Sequence, residues 1–234
     1  MIFAAVLAGG SGLRMKNSTP KQFLPLGGKP VIVRTLEVFL QLPEIRKIYL
    51  GMNGDYLEEA QRLLGEYLPE QASRMIELVP GGADRNESLL HVADRIAERW
   101  GEEGHLLITH DGVRPFVTPQ MLRESLEGAR QVGASGTAIP STDTLFYSED
   151  GERVLRAADR SRYFRAQTPQ SFRLSLIRDL LRRLGAEERG RMTDACSLCL
   201  AEGLPVVMTP GSPLNIKLTT PEDLALAEAL LGLK

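Results

Sequence analysis

The sequence predicts an α/β fold with a mostly parallel sheet covered by helices on both faces. Three observations carry this. Short apolar runs alternate with segments of helical periodicity along the chain. The first apolar run ends in a glycine-rich turn, as strands do where a sheet leaves its carboxyl edge open to a ligand. Two helix starts carry Thr-Pro pairs, Thr118-Pro119 and Thr220-Pro221, which put a capping hydroxyl before a proline at the first helical position.

In chain order, Ile2–Leu7 is an uninterrupted apolar run and reads as a buried first strand. A helical pattern follows over Val31–Gln41, then a strand over Lys47–Met52 and a helix over Tyr56–Tyr67. Met75–Val79 is the third strand and Glu87–Trp100 the next helix. Leu106–Thr109 is a short apolar strand, followed by the capped helix Pro119–Val132 and the strand Gly136–Ile139. Leu174–Leu184 and Asp194–Ala201 read as helices, Pro205–Met208 and Asn215–Leu218 as strands, and Pro221–Leu231 as the second capped helix. One segment breaks the alternation. Ser141 to Arg165 holds Thr142 to Tyr147, a Ser148-Glu149-Asp150-Gly151 turn and Arg153 to Ala157, which reads as a protruding β-hairpin. Such an arm has little core of its own and is expected to pack on another subunit. No repeat or linker interrupts the chain, so residues 1–234 are expected to form a single domain, with the arm at about 141–165.

Composition narrows the class. At 43% hydrophobic residues the chain can fill a core, and a net charge of −2 gives no field that draws it to nucleic acid or a membrane surface. No apolar stretch reaches the roughly 20 residues of a membrane span. The apolar start has no basic leader, so no signal peptide is expected and the location is read as cytoplasmic. The two cysteines, Cys196 and Cys199, sit on one face of a predicted helix and read as core residues in a reducing compartment.

The chemistry concentrates after the predicted strands. Leu7-Ala8-Gly9-Gly10-Ser11-Gly12-Leu13-Arg14 lets backbone N–H groups approach phosphate oxygens, because no Cβ stands in the way. Arg14 and Lys21, the latter in Pro20-Lys21-Gln22, add fixed positive charge, which suits a nucleoside triphosphate attacked at its α-phosphorus. The loop lacks the Gly-Lys-Ser/Thr ending of a P-loop and the spacing of a dinucleotide fingerprint. Gly81 to Ser88 offers glycines for the approach of a base or ribose, with Arg85 and Ser88 placed to bond it. Asp111, in His110-Asp111-Gly112-Val113-Arg114-Pro115, is either a magnesium ligand or a structural partner of Arg114. Asn215-Ile216-Lys217 adds an amide and a cation at another strand end. His91, His105 and His110 are too scattered for a metal triad. No convincing nucleophile accompanies these cations, and nucleotidyl transfer needs none.

Taken in order, these segments resemble the cytidylyltransferase family that makes CDP-linked polyols, whose members act on 2-C-methyl-D-erythritol 4-phosphate or ribitol 5-phosphate. The resemblance runs through the glycine loop, Pro20-Lys21-Gln22, Gly81 to Asn86, His110 to Phe116, Gln167-Thr168-Pro169-Gln170, Thr193-Asp194 and Asn215-Ile216-Lys217. It implies a Rossmann-like nucleotidyltransferase domain that converts CTP and a polyol phosphate to a CDP-polyol and pyrophosphate, with magnesium as cofactor. It implies catalytic roles for Arg14, Lys21 and Lys217. It places CTP against Leu7, Ala8, Gly9, Gly10, Ser11, Gly12, Gly82, Arg85 and Ser88. The acceptor falls to Asp111, Arg114, Thr144, Arg160 and Thr168, and the metal to Asp111. Thr144 and Arg160, on the arm, match positions that reach the neighbouring subunit's acceptor, which implies a homodimer with shared active sites. Leu7-Ala8-Gly9-Gly10, Gly82-Ala83-Asp84-Arg85-Asn86, Asp111 to Phe116 and Thr193 to Cys196 look closer to the ribitol branch, although Gly112 departs from its usual serine. A GTP- or UTP-dependent relative and a non-catalytic nucleotide-binding protein are the alternatives. Asp84-Arg85-Asn86 and the arm argue against the first, and intact Arg14, Lys21 and Asp111 against the second.

Overall fold

The computed structural model describes residues 1–10, 19–185, 188, 192 and 194–232. The chain runs β1 (Ile2–Leu7), β2 (Pro25–Leu26), β3 (Lys29–Pro30), α1 (Val31–Phe39), β4 (Ile45–Met52), α2 (Leu57–Tyr67), α3 (Glu70–Ser73), β5 (Ile76–Pro80), α4 (Arg85–Trp100) and β6 (Leu106–Asp111). It continues through α5 (Pro119–Val132), β7 (Ala134–Pro140), β8 (Phe146–Tyr147), β9 (Arg156–Ala157), β10 (Phe164–Arg173), α6 (Leu174–Arg183), α7 (Cys196–Ala201), β11 (Val207–Pro210) and α8 (Pro221–Leu231).

Seven strands form the central sheet in the order β11-β7-β10-β6-β1-β4-β5. β1 pairs in parallel with β4 and β6, β4 with β5, and β11 with β7. Only β10 runs against its neighbours β6 and β7. Alternation along β1 divides the core. Ile2, Ala4 and Val6 face a cluster with Ile32, Leu36, Leu63 and Leu122, from α1, α2 and α5. Phe3, Ala5 and Leu7 face a cluster with Leu89, Val92, Ile177 and Cys199, from α4, α6 and α7. A third cluster joins Leu26, Val31, Val113 and Leu218 to Ala227 of α8. The sheet is therefore clad on both sides, and the carboxyl ends of β1, β5 and β6 open on one edge.

The helix caps follow the sequence. Thr118 Oγ1 accepts from Met121 N at 3.2 Å, and Thr220 forms a capping box with Asp223. Cys196 and Cys199 are buried, and burial pushes the Cys199 thiol up to about 11 and Cys196 higher still, so both are inert core residues.

Two expectations need correction. Asn215–Leu218 is not a strand. Its apolar Ile216 and Leu218 point inward, but the backbone runs irregularly and is tied by Asn215 N to Ser212 O at 3.0 Å and Leu218 N to Val113 O at 2.9 Å. The arm is less regular than a full hairpin. Its ladder is confined to Phe146↔Ala157 and Tyr147↔Arg156, and Arg160 lies beyond it in a short 3-10 turn, Arg160–Arg162. β10 was not anticipated as a strand, because a polar run containing Pro169 lacks strand alternation. Its ladder to β7 is broken between Ala166 and Gln170, so Gln167, Thr168 and Pro169 bulge out of register.

Candidate active site

The loops that follow β1, β5 and β6 meet over the open sheet edge. Backbone bonds extend the ladder into each of them: Ala8 N to Gly51 O at 2.7 Å, Gly81 N to Met52 O at 2.6 Å and Gly112 N to Leu7 O at 2.8 Å. Together they line a cleft of about 260 Å³ with Leu7 to Gly10, Lys21, Gln22, Gly82 to Arg85, Ser88, Asp111, Val113 and Lys217. A smaller cavity adjoins it, lined by Arg85, Asp111, Arg114, Gln167, Thr168, Gln170, Asp194 and Lys217.

Asp111 stands at the junction. Its carboxylate accepts from Arg85 Nε at 3.2 Å, Arg114 Nε at 3.2 Å and Lys217 Nζ at 3.0 Å. Burial alone would raise this carboxyl, but Arg85, Lys217 and Arg114 outweigh it and hold it well below the ordinary carboxylate range. One anion thus gathers three cations, from the first residue of α4, from the turn after β6 and from the 215–218 segment. Arg85 Nη1 and Nη2 are buried and have no hydrogen-bond partner among the described residues, and the side chain lines both cavities. His110, next in sequence, is buried, its Nε2 lies 3.2 Å from Arg114 O, and burial pushes it down to about 4. It is a neutral structural residue.

The remaining sequence candidates divide by what they touch. Ser88 Oγ donates to Asp84 O at 2.8 Å and accepts from Gly82 N at 3.0 Å, so it shapes the 82–84 turn as well as lining the cleft. Asp84 caps α4 by accepting from Glu87 N at 2.8 Å. Thr168 is buried, and its Oγ1 accepts from Asp111 N at 3.1 Å, fixing the end of β6. Lys21 begins a 3-10 turn, anchored from below where Gln22 Nε2 donates to Ala8 O at 3.0 Å. Thr144 and Arg160 line neither cavity of their own chain; Arg160 Nη1 donates to Thr142 O at 3.1 Å. Ser11, Gly12, Arg14 and Thr193 lie outside the described residues. Gln22, Gln167 and Gln170 stand in the sequence motifs with no role that residue type alone signals, and Asn215 stands there only as an amide at the site. All four are buried amides that tie one loop to another.

This geometry has a family counterpart. The model of IspD, 2-C-methyl-D-erythritol 4-phosphate cytidylyltransferase, matches residues 2–233. The chain belongs to the IspD family. IspD proteins are cytidylyltransferases that use CTP, so this chain is a nucleotidyltransferase of that type. Among solved structures, it is similar to 4-diphosphocytidyl-2C-methyl-D-erythritol synthase from Anaerococcus prevotii. The two share 28% identity over 99% of this chain and 96% of that one, with a TM-score of 0.82. It is also similar to 2-C-methyl-D-erythritol 4-phosphate cytidylyltransferase from Thermus thermophilus, at 28% identity over 97% of this chain and 98% of that one, with a TM-score of 0.73. The IspD structure from Francisella tularensis, at 24% identity, TM-score 0.78 and coverage of 97% and 98%, shares the fold.

Proposed function

We propose that this chain transfers the cytidylyl group of CTP to 2-C-methyl-D-erythritol 4-phosphate. The family match and the names of similar solved proteins at 28% identity support this acceptor. The same comparisons lend the ribitol 5-phosphate reading no specific support. Gly112, which bore on that reading, does not open on the polyol. A Cβ there would fall 2.7 Å from Ile32 Cδ1 and 3.2 Å from Ala8 Cβ, so packing under the cleft decides that position.

In the reaction, an oxygen of the acceptor phosphate bonds to the α-phosphorus. The bond from that phosphorus to the bridging oxygen breaks, and its electron pair leaves on pyrophosphate. Negative charge grows on the α-phosphate oxygens and the leaving group, so catalysis is positioning and charge neutralisation. The observation that carries the reading is the single carboxylate, Asp111, holding Arg85, Arg114 and Lys217 beside Lys21 at the open end of β1. Gly9 and Gly10 leave the backbone open to the triphosphate, and Lys21 meets the leaving side, a role that the family resemblance gives Arg14 as well. Arg114 and Lys217 receive the acceptor phosphate. Ser88 and the turn at Gly82 border the nucleoside.

Magnesium supplies charge neutralisation between the phosphates when bound. A dication would arrive on the triphosphate, held mainly by phosphate and water oxygens; among the described residues there is no cage of three or more His, Cys, Asp or Glu. Asp111 would add a carboxylate oxygen to that shell only by giving up one of the three cations it holds.

The reading extends to a homodimer of single-domain subunits. Phe146, Val154 and Leu155 on the arm are 64%, 59% and 57% exposed, which a second copy would cover, and a two-fold pair makes both sites equivalent. Arg160 and Thr144 then serve the partner's acceptor. Two buried free thiols suit a reducing, cytoplasmic compartment, and no described helix is long and apolar enough to cross a membrane.

A pyrophosphate-release assay with CTP or UTP, against each of the two polyol phosphates, tests the assignment. CTP with methylerythritol phosphate should give the highest kcat/KM. Preference for ribitol phosphate would move the chain to that acceptor, and equal use of UTP would refute the base assignment.

A further inference from the structure

Lys217 reaches Asp111 from a stretch of chain that no sheet ladder supports among the described residues. Something else must hold it, since a flexible side chain on an unsupported segment loses entropy for every fixed contact. The supports converge on one buried amide. Gln167 Nε2 donates to Ser212 O at 2.9 Å, and its Oε1 accepts from Ser212 N at 3.2 Å and from Asn215 Nδ2 at 3.3 Å. Asn215, itself fully buried, also donates to Thr168 O at 2.8 Å, and its backbone carbonyl accepts from Arg114 Nη1 at 2.8 Å. Gly211 leaves the space for this clamp, because a Cβ there would fall 2.6 Å from Gln167 Oε1.

Gln167 is available only because of the β10 bulge. In a regular ladder, residues 167–169 would pair with β7; out of register, the Gln167 head turns to the 211–215 segment while the next residue, Thr168, takes the Asp111 N–H. The bulge therefore addresses both sides of one ion pair: Thr168 sets Asp111, and Gln167 sets the loop that delivers Lys217.

We propose that Gln167 is a positioning residue for Lys217, acting through Ser212 and Asn215. Its catalytic consequence rests on the cytidylyl-transfer reading; its clamp on Lys217 does not, and the test separates the two. Gln167→Leu keeps the bulk and removes the donor and the acceptor. Reductive methylation followed by peptide mass mapping reads Lys217 directly, with Lys29 (held by Glu37) and Lys47 (held by Arg74 O) as references in the same digest. An ammonium released from its carboxylate is more available to the reagent, so Lys217 labelling should rise several-fold relative to both references. An unchanged ratio overturns the proposal, whatever the activity does.

The kinetic arm is a double-mutant cycle of Gln167→Leu with Lys217→Ala. Alone, Gln167→Leu should lower kcat about 10-fold, within the range that a misplaced catalytic group costs, and leave KM for CTP nearly unchanged. On the Lys217→Ala background it should add almost nothing, since residues that act as a unit are not additive. Multiplying effects would overturn the proposal. If Gln167→Leu folds poorly, Gln167→Glu keeps the acceptor towards Ser212 N and Asn215 Nδ2 and should give intermediate labelling and rate. A wild-type chain without cytidylyl transfer, but with the labelling response, would reject the functional reading and leave the clamp standing.

Discussion

Asp111→Asn is the most informative perturbation, because it removes a charge and keeps the shape. Three cations lie at 3.2, 3.2 and 3.0 Å from the carboxylate. At an effective dielectric of about 20, each pair attracts by roughly 5 kcal/mol before solvation is counted. Most of that gross attraction is offset by the cost of drying the carboxylate, and Lys217, 39% exposed, is further screened. What remains is the penalty for stranding the partners. Breaking a buried pair costs about 3–5 kcal/mol, and the water still reaching Arg85 and Lys217 puts this case lower, at about 2–3 kcal/mol at pH 7. For a chain of this size that is a fall in Tm of roughly 5–10 °C.

The pH dependence fixes the sign. Asp111 titrates far below its unfolded value of about 3.9, so its contribution is complete above that value and is lost as pH falls through it towards the folded one. The gap in urea-unfolding free energy between wild type and Asp111→Asn should therefore be constant from pH 7 to pH 5 and shrink below pH 4. An Asp111→Asn chain as stable as wild type at pH 7, or a gap that is the same at pH 7 and pH 3, would show that the carboxylate does not hold these cations together.

Three further outcomes follow from the same geometry. Lys21→Ala should lower kcat about 10²-fold at saturating CTP with little change in Tm, the loss expected for a contact that strengthens as charge develops; near-normal turnover would remove Lys21 from the leaving-group side. His110 is held neutral by burial and titrates at about 4, against 6.5 unfolded, so it withdraws roughly 3 kcal/mol of stability as pH falls from 6.5 to 4. His110→Gln should lack that slope in urea titrations, and an equal slope in both proteins would contradict the burial argument. Arg160→Ala and Lys21→Ala chains, each inactive, should regain activity after subunit exchange, since one site of the mixed pair combines both intact residues; exchange confirmed by mass without regained activity would mean that Arg160 serves its own chain.

The fold was legible where one signal dominated a segment. Ile2–Leu7 is apolar at every position and forms β1 with the bounds read from it, and the Thr-Pro pairs set the starts of α5 and α8 where their caps are found. It was illegible where structure depends on distant partners. β10 carries little strand propensity of its own and exists because β6 and β7 flank it. Asn215–Leu218 alternates like a strand yet pairs with neither edge of the sheet. The candidate site shows the same division. The glycine turn, Asp111 and the cations stand out by residue type. That Arg85, read for the nucleotide, bonds Asp111, and that Thr168, read for the acceptor, bonds the Asp111 backbone, depends on side-chain directions that spacing does not encode.

Cytidylyl transfer moves the α-phosphate of CTP and not the γ-phosphate. CTP labelled separately at the two positions, incubated with magnesium and 2-C-methyl-D-erythritol 4-phosphate, tests it in one chromatographic run. The α-label is expected in the CDP-alcohol and the γ-label entirely in pyrophosphate. A γ-label on the acceptor, or an α-label recovered only as CMP, would contradict it.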